Sequence, residues 1–348
     1  MKKHFLNTLD YPQSEILEII EKAQAMKNKT FLPSLQGKVL GLKFFNPSMR
    51  TRVSMEVGMQ KLGGIVVDIM PSPEKIFPLE FEDGAVMNGG TIDHIKDVAR
   101  LLSRYCDIFA IRSSDLITTS AETAKVSSWE EVKKNKAITA FAKHATVPVI
   151  NTESNTWHPC QGIGDMMTIK EKFPDPKGKK FVLTWSYHPK SLPMAVPNSQ
   201  ILAAVDLGMD VTVAYPEGWD LDPEIMDSIK ERATLSGASL SFTNDQDAAL
   251  QDADVIAVKS WGSLKNFGDP EKEKKAKEGL ESWMYDGEKM KLAPNGYLLH
   301  CLPVRRNVEV ADEALDSPNS LIIDEAENRM WAQMSLLHHL LADDQSIK

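Results

Sequence analysis

The stretch Ser48-Met49-Arg50-Thr51-Arg52 collects two guanidinium groups and two hydroxyls just after the apolar run Val39 to Phe45. That run reads as a buried strand, and the pattern after it predicts an amphipathic helix from about Thr51 to Leu62, closed by Gly63-Gly64. A strand that delivers Ser, Arg and Thr to the first turn of a helix is a ready anion site. The exposed N–H groups and the positive end of the helix dipole face the ligand, and Arg50 adds a planar fork of donors. The same residues also suit a serine-capped helix carrying two surface arginines, and this stretch alone does not decide between the two.

Composition narrows the partners. A chain of 348 residues has room for two domains with ample core. With 26% charged residues it reads as an ordinary globular protein, and its net charge of −9, without a Lys/Arg block, argues against a nucleic-acid or anionic-membrane surface. Any phosphate site must therefore be local and built by arginine. The three cysteines, Cys106, Cys160 and Cys301, form no C-x-x-C pair and fit a reducing compartment. The N-terminal Met1-Lys2-Lys3 lacks a following apolar segment, and no run approaches membrane-spanning length, so a cytoplasmic location is expected.

Strands and helices must alternate to position these residues. Helical spacing of Ile16, Ile19, Ile20 and Ala23 predicts a first helix opened by Ser14. Strands follow at Ile65 to Ile69, Cys106 to Ile111 and Val147 to Asn151, with helices opened by Thr91 and running from Trp129 to Lys143. Between them, Pro71 to Gly90 is a long irregular loop, a length that usually serves function. The pattern restarts after His158-Pro159, with strands at Phe181 to Trp185, Val211 to Ala214, Ser239 to Thr243, Asp254 to Lys259, Gly296 to Leu302 and Leu321 to Ile323. A last helix is expected from Ala326. The fold class is therefore α/β, with two doubly wound parallel-sheet domains, 1–152 plus 326–348 and 153–325. A dinucleotide is the common occupant of such a fold, but no strand is followed by G-x-G-x-x-G and no P-loop occurs, so an oxidoreductase reading is weak. Gly162-Ile163-Gly164 falls inside a helix, where a phosphate turn does not fit.

Ligands in open α/β sheets sit beyond the carboxyl ends of the strands. Polar motifs gather there: Arg112, Glu153 with His158-Pro159-Cys160-Gln161, His188, Lys259, His300-Cys301-Leu302-Pro303-Val304-Arg305-Arg306-Asn307, and Arg329. Singly each has an ordinary explanation, Arg112 as a surface arginine or His158 as a core histidine. Together they point to one site.

With these motifs the sequence resembles the aspartate/ornithine carbamoyltransferases over nearly its whole length. The phosphate turn S-x-R-T-R, the H-P-x-Q motif and H-C-L-P carry the resemblance. Phe44 to Arg52, Val258-Lys259-Ser260-Trp261, His300 to Asn307 and Glu325-Ala326-Glu327-Asn328-Arg329 place it nearest the branch acting on N-acylated ornithine. The D-x-x-x-S-M-G loop of the ordinary ornithine enzymes is missing.

The resemblance implies a carbamoyltransferase fold and transfer of the carbamoyl group of carbamoyl phosphate to the δ-amine of an acylornithine, in arginine biosynthesis, with neither cofactor nor metal. It gives Ser48, Met49, Arg50 and Thr51 to the phosphate, with Phe77, Pro159, Cys160 and Arg329 alongside. Arg112 and His158 would polarise the carbonyl, while Gln161 and the backbone carbonyls of Cys301 and Leu302 would accept from the carbamoyl NH₂. Arg50, Arg112, His158 and Gln161 are the expected catalytic residues. Cys301 offers a thiol, but the family uses its backbone. Glu153, His188, Lys259, Leu302 and Arg305 would hold the acylornithine, together with Ile92. The acetylornithine enzymes carry Glu at the position of Ile92 and place the equivalent of Glu153 four residues before the histidine; here the spacing is five. Both features, with Ala195-Val196-Pro197-Asn198-Ser199, favour N-succinylornithine, with N-acetylornithine as the alternative. Phe77 stands where this branch usually has Trp, and Glu309 where the acetyl branch has a modifiable Lys. The family forms trimers in which the long loop reaches a neighbour's site, so a homotrimer with shared active sites is expected. A regulatory paralogue that binds without turnover is the non-enzyme alternative; loss of Arg50, Arg112 or His158 would favour it, and all three are present.

Overall fold

The computed structural model describes residues 4–30, 32–69, 79–114 and 128–342. Its strands are β1 Val39–Phe44, β2 Ile65–Asp68, β3 Leu79–Glu80, β4 Asp93–His94, β5 Ile108–Arg112, β6 Val149–Glu153, β7 Lys180–Trp185, β8 Asp210–Ala214, β9 Ser239–Thr243, β10 Val255–Lys259 and β11 Tyr297–Leu299. The described helices of eight or more residues are α1 Gln13–Lys27, α2 Met49–Lys61, α3 Ile95–Leu102, α4 Lys136–His144, α5 Pro159–Lys172, α6 Ala195–Asp206, α7 Pro223–Ser236 and α8 Ile322–Leu341.

Two parallel sheets result, ordered β2-β1-β5-β6 and β11-β10-β7-β8-β9. The interior strands β5 and β10 are buried at every position, as their apolar runs require once helices cover both faces, and β6, last in its sheet, is buried along its length too. Register sets the first site. Phe44 lies beside Arg112, and Arg112 beside Glu153 across an irregularity after Ile111, so β1, β5 and β6 end together.

Ser14 does not cap α1, which opens at Gln13 after Pro12, and β11 stops at Leu299 short of the expected Leu302. Three further local expectations give way to tertiary contacts. The helix expected over Trp129 to Lys143 is two pieces, Trp129–Val132 and α4, broken at Asn135 with φ 50°. Asn135 leaves the helix to donate to Thr156 Oγ1 and to accept from the Asn155 N–H, which pins the loop entering α5. At the start of α3 the cap is His94 rather than Thr91, its Nδ1 accepting from the Lys96 N–H at 3.1 Å. Finally, Leu321 to Ile323 is not a strand. The chain makes one bridge there, Leu298 to Ser320, then enters α8 at Ile322, whose first turn carries Asp324 and Glu325 at the positive end of the dipole.

Helix α8 packs on α1, α2 and α5, and its polar side chains tie them together. Ser335 donates to Ile19 O, Gln333 accepts from Ser54 Oγ, and Asn328 bonds Thr168 and Glu171 of α5 and Lys27 of α1. None of the described helices is long and apolar enough to cross a membrane.

Candidate active site

Helix α2 begins at Met49 with Ser48 in extended conformation at its N-cap, and the Ser48 hydroxyl makes no capping bond. The two arginines of this turn part company. Arg52 lies over the Phe44 ring and ion-pairs with Asp68 at the end of β2. Arg50 is half-buried and its Nε meets no acceptor among the described residues. Burial lowers the Arg50 pKa, and Arg112 adds like-charge repulsion, although Glu153 and Cys301 pull the other way. Met49 projects into solvent, so only its backbone can serve the turn. Thr51 is buried and accepts from Arg329 Nη2 at 2.6 Å, which brings α8 to the first turn of α2.

Arg112, at the end of β5, is buried and pairs with Glu153 at the end of β6. Glu153 Oε2 also lies 3.4 Å from His158 Nε2. His158 caps α5: its Nδ1 accepts from the Gln161 N–H at 3.3 Å, so the ring proton sits on Nε2, the nitrogen facing the arginines and Glu153. Burial, then the charges of Arg329 and Arg112, hold the His158 pKa well below its ordinary value. The ring is a neutral N–H donor. Ser199 Oγ accepts from the His158 N–H at 2.8 Å and Asn198 donates to Thr156 O at 3.0 Å, so the start of α6 supports the loop from the second sheet.

The residues after β6 divide between site and scaffold. Pro159 opens α5, where its missing N–H costs nothing, and the Cys160 thiol points at Asn151 O, 3.7 Å away. Gln161 donates from Nε2 to Asp165 at 2.7 Å and Glu325 at 2.6 Å, leaving its buried Oε1 without a donor among the described residues. Neither Asp165 nor Glu325 is visible as a functional residue in sequence, although Glu325 opens the E-A-x-N-R motif.

Gly164 on α5 exists for closeness: a Cβ there would lie 2.7 Å from Arg329 Cγ. Gly164→Ala is expected to cost about 1–3 kcal/mol by overpacking, measured as a lowered urea midpoint with unchanged m.

The second half of the site stands at the carboxyl ends of β7, β10 and β11. Lys259 ends β10 and His188 follows β7, both buried. Arg305 Nε donates to His188 Nε2 at 2.9 Å. Its own N–H donates to Glu309 Oε2 at 2.8 Å. Burial opposes ionisation of Glu309, yet His300 and Lys259 outweigh it and hold this carboxyl well below the usual range. His300 Nδ1 accepts from the Leu302 N–H at 3.0 Å, and Leu302 turns the chain at φ 54°, presenting the Cys301-Leu302 segment. Burial pushes the Cys301 thiol up to about 12, which leaves it protonated near neutrality.

The two halves are close enough for Arg50 to influence Cys301 and His300 electrostatically. Two expected site residues stand apart. Ile92 is 60% exposed, just before β4, and belongs to no hydrophobic cluster of its own chain. Phe77 lies outside the described residues. No group of three or more His, Cys, Asp or Glu placed to hold a metal occurs among the described residues. These residues together offer several guanidiniums, a neutral imidazole and a free amide oxygen, a set suited to an anion bearing a polarisable carbonyl and an amide.

Family models agree with that chemistry. Residues 3–171 match the carbamoyl-P binding domain of aspartate/ornithine carbamoyltransferase, and residues 194–340 match its Asp/Orn binding domain. The chain belongs to the aspartate/ornithine carbamoyltransferase family. It is a carbamoyltransferase, and the two sheets are those of that fold. N-acetylornithine carbamoyltransferase from Xanthomonas campestris pv. campestris is 42% identical over 97% of this chain and 98% of its own length. The crystal structure of an acetylornithine transcarbamylase complexed with acetylcitrulline superposes with a TM-score of 0.91 at 42% identity, covering 98% of this chain and 100% of that one. A variant of an N-acetyl-L-ornithine transcarbamylase, with one glutamate changed to alanine, is complexed with carbamyl phosphate and N-succinyl-L-norvaline. It matches with a TM-score of 0.90 and 42% identity, covering 97% of this chain and 99% of that one.

Proposed function

We propose that this carbamoyltransferase carries the carbamoyl group of carbamoyl phosphate to the δ-amine of N-succinyl-L-ornithine, giving N-succinyl-L-citrulline and phosphate. In this reading the first turn of α2, with Ser48, Met49, Arg50 and Thr51, holds the phosphate, and Arg329 adds charge from behind Thr51. Arg112 and the Nε2–H of His158 polarise the carbonyl, where negative charge grows as the amine attacks. Gln161 Oε1 and the carbonyls of Cys301 and Leu302 take the two N–H groups of the carbamoyl amide. Glu153, His188, Lys259 and Arg305 receive the acylated amino acid, with positive charge for its carboxylates.

The bonds balance without a protein nucleophile. The free amine, whose ordinary pKa is about 10.4, attacks the carbonyl carbon; the C–O bond to phosphate breaks, and the phosphate leaves carrying the amine's surplus proton. Orientation and fixed charge supply the acceleration.

The choice of succinyl rests on Ile92. An exposed apolar side chain occupies the position where, by family resemblance, the acetylornithine enzymes carry a glutamate, and a carboxylate there would repel the second carboxylate of a succinyl group. The acetylornithine transcarbamylase variant that has lost a glutamate and holds N-succinyl-L-norvaline supports this, if that glutamate is taken as the equivalent of Ile92. N-acetyl-L-ornithine is the second reading, favoured by the name of the 42% identical relative. We further place the enzyme in the cytoplasm and in arginine biosynthesis, as a homotrimer in which Phe77 and Ile92 act in a neighbour's site. Its carbamoyl phosphate domain is assigned to 1–152 plus 326–348 and its acylornithine domain to 153–325.

Citrulline-derivative formation from succinyl-, acetyl- and free ornithine, measured side by side, tests the reading. The expected order puts succinylornithine first, and Ile92→Glu moves the preference toward acetylornithine by at least tenfold, roughly the worth of one exposed like-charge contact at the site. A preference for acetylornithine in the native enzyme would overturn the substrate, and no carbamoyl transfer at all would favour a binding paralogue.

A further inference from the structure

Gln161 is surrounded by an unusual arrangement. Both hydrogens of its amide are taken by carboxyl groups, Asp165 Oδ1 at 2.7 Å on the next turn of α5 and Glu325 Oε1 at 2.6 Å on α8. All three side chains are sealed from solvent. Both carboxyl oxygens accept from the amide nitrogen, so this pair fixes which end of the amide is nitrogen. The oxygen is thereby turned outward, buried and without a donor among the described residues. Glu325 is committed on its other side too, since Oε2 accepts from the His300 N–H at 2.7 Å. That bond anchors the segment whose next residues, Cys301 and Leu302, are expected to present carbonyls to the same ligand group.

We propose that the buried acid pair Asp165–Glu325 is a positioning device that sets the polarity of the Gln161 amide and the height of the His300–Leu302 segment, so that the site selects a phosphoric anhydride bearing an N–H₂ group. The inference rests on the carbamoyl phosphate reading above and assigns its amide selectivity to residues that do not touch the ligand. Two adjacent carboxyls sealed from bulk solvent resist ionising together. Burial raises both, opposed by Arg329, and the pair retains a proton between Asp165 and Glu325. Chemistry distinguishes the two partners. An amide can replace the carboxyl at position 165, because its oxygen still accepts from Gln161 while the NH₂ takes the place of an oxygen that meets no partner among the described residues. It cannot replace Glu325, which must accept from Gln161 and from His300 at once. With Glu325→Gln, one of those donors faces an NH₂ unless Gln161 turns over and points its own NH₂ at the ligand.

The test compares carbamoyl phosphate, as substrate, with acetyl phosphate, a competitor in which methyl replaces NH₂. In Glu325→Gln the KM for carbamoyl phosphate is expected to rise at least tenfold, the order of effect for an unpaired buried polar group. The inhibition constant for acetyl phosphate stays within about threefold. Asp165→Asn keeps the ratio of the two phosphates within about threefold of native, whereas Asp165→Ala does not. If Glu325→Gln fails to fold, Glu325→Asp, which withdraws the carboxylate by one methylene, carries the same ratio test. Equal weakening of both phosphates would make Glu325 a purely structural residue and overturn the inference. Loss of selectivity in Asp165→Asn equal to that in Asp165→Ala would do so as well. A native enzyme without carbamoyl transfer would instead remove the reading beneath it.

Discussion

Arg50→Gln is expected to lose about 10²–10³-fold in kcat/KM for carbamoyl phosphate and to unfold at the same or a higher temperature than the native enzyme. Both outcomes follow from one geometry. Arg50 is half-buried at the opening turn of α2, its Nε meets no acceptor, and burial together with Arg112 works against its charge. Folding gathers Arg50, Arg112 and Arg329 near one another, a repulsion that the dianion of the proposed substrate would relieve. Arg112 would make a poorer probe, since its loss would also strand buried Glu153. Steady-state kinetics with both substrates, set beside thermal unfolding of the free enzyme, reads the two effects. A variant that loses stability along with activity would make Arg50 a structural residue.

Arg232→Ala is the counterpart, a large expected effect on stability far from the chemistry. Arg232 on α7 bonds Asp206 Oδ1 at 2.5 Å and Tyr11 O at 3.1 Å, and the Asp206 side chain is sealed at the end of α6. Gln13 donates to Asp206 O at 2.6 Å, so this knot ties the entry of α1 to the helices of the second sheet. Removing the guanidinium leaves a buried carboxyl without its cation, at a cost of about 3–5 kcal/mol near pH 8. Burial already pushes Asp206 up to about 6, against the pull of Arg232. A carboxyl raised on folding contributes most to stability below its unfolded pKa, and the contribution fades as pH rises through the folded value. Without Arg232 the folded value climbs further, so the penalty shrinks at pH 5, where the carboxyl keeps its proton. Urea unfolding at pH 5 and pH 8 reads the difference; an equal penalty at both would exclude the buried charge as its cause.

Much of the site was legible because its pieces follow strand ends. An apolar run before Ser48, another before Arg112 and a third before Glu153 place all three at one edge once the sheet is parallel, and the register of β1, β5 and β6 bears this out. The strand before His300 is legible for the same reason, although it ends at Leu299 and not at Leu302 as its apolar run suggests. What escaped depends on contacts between distant residues. Gln161 and Glu325 meet across 164 positions, and nothing local announces that a glutamate before Arg329 will be sealed beneath an amide. Leu321 to Ile323 looks like a strand by its β-branched residues, yet α8 wins because its apolar face lies on α1, α2 and α5. Asn135 breaks a good helical pattern because the loop at Asn155 and Thr156 needs its side chain. Ile92 was singled out by analogy rather than by pattern, and its exposure is the structure's addition.

The neutral imidazole of His158 has one more consequence. Its Nδ1 is committed to the end of α5, and burial among arginines keeps it from gaining a second proton across the physiological range. In the proposed mechanism the group polarising the carbonyl is then blind to acidity, and the acid limb of the rate profile belongs to the incoming amine. A fall in cellular pH slows such an enzyme by withholding the nucleophile, with the catalyst itself left unaltered.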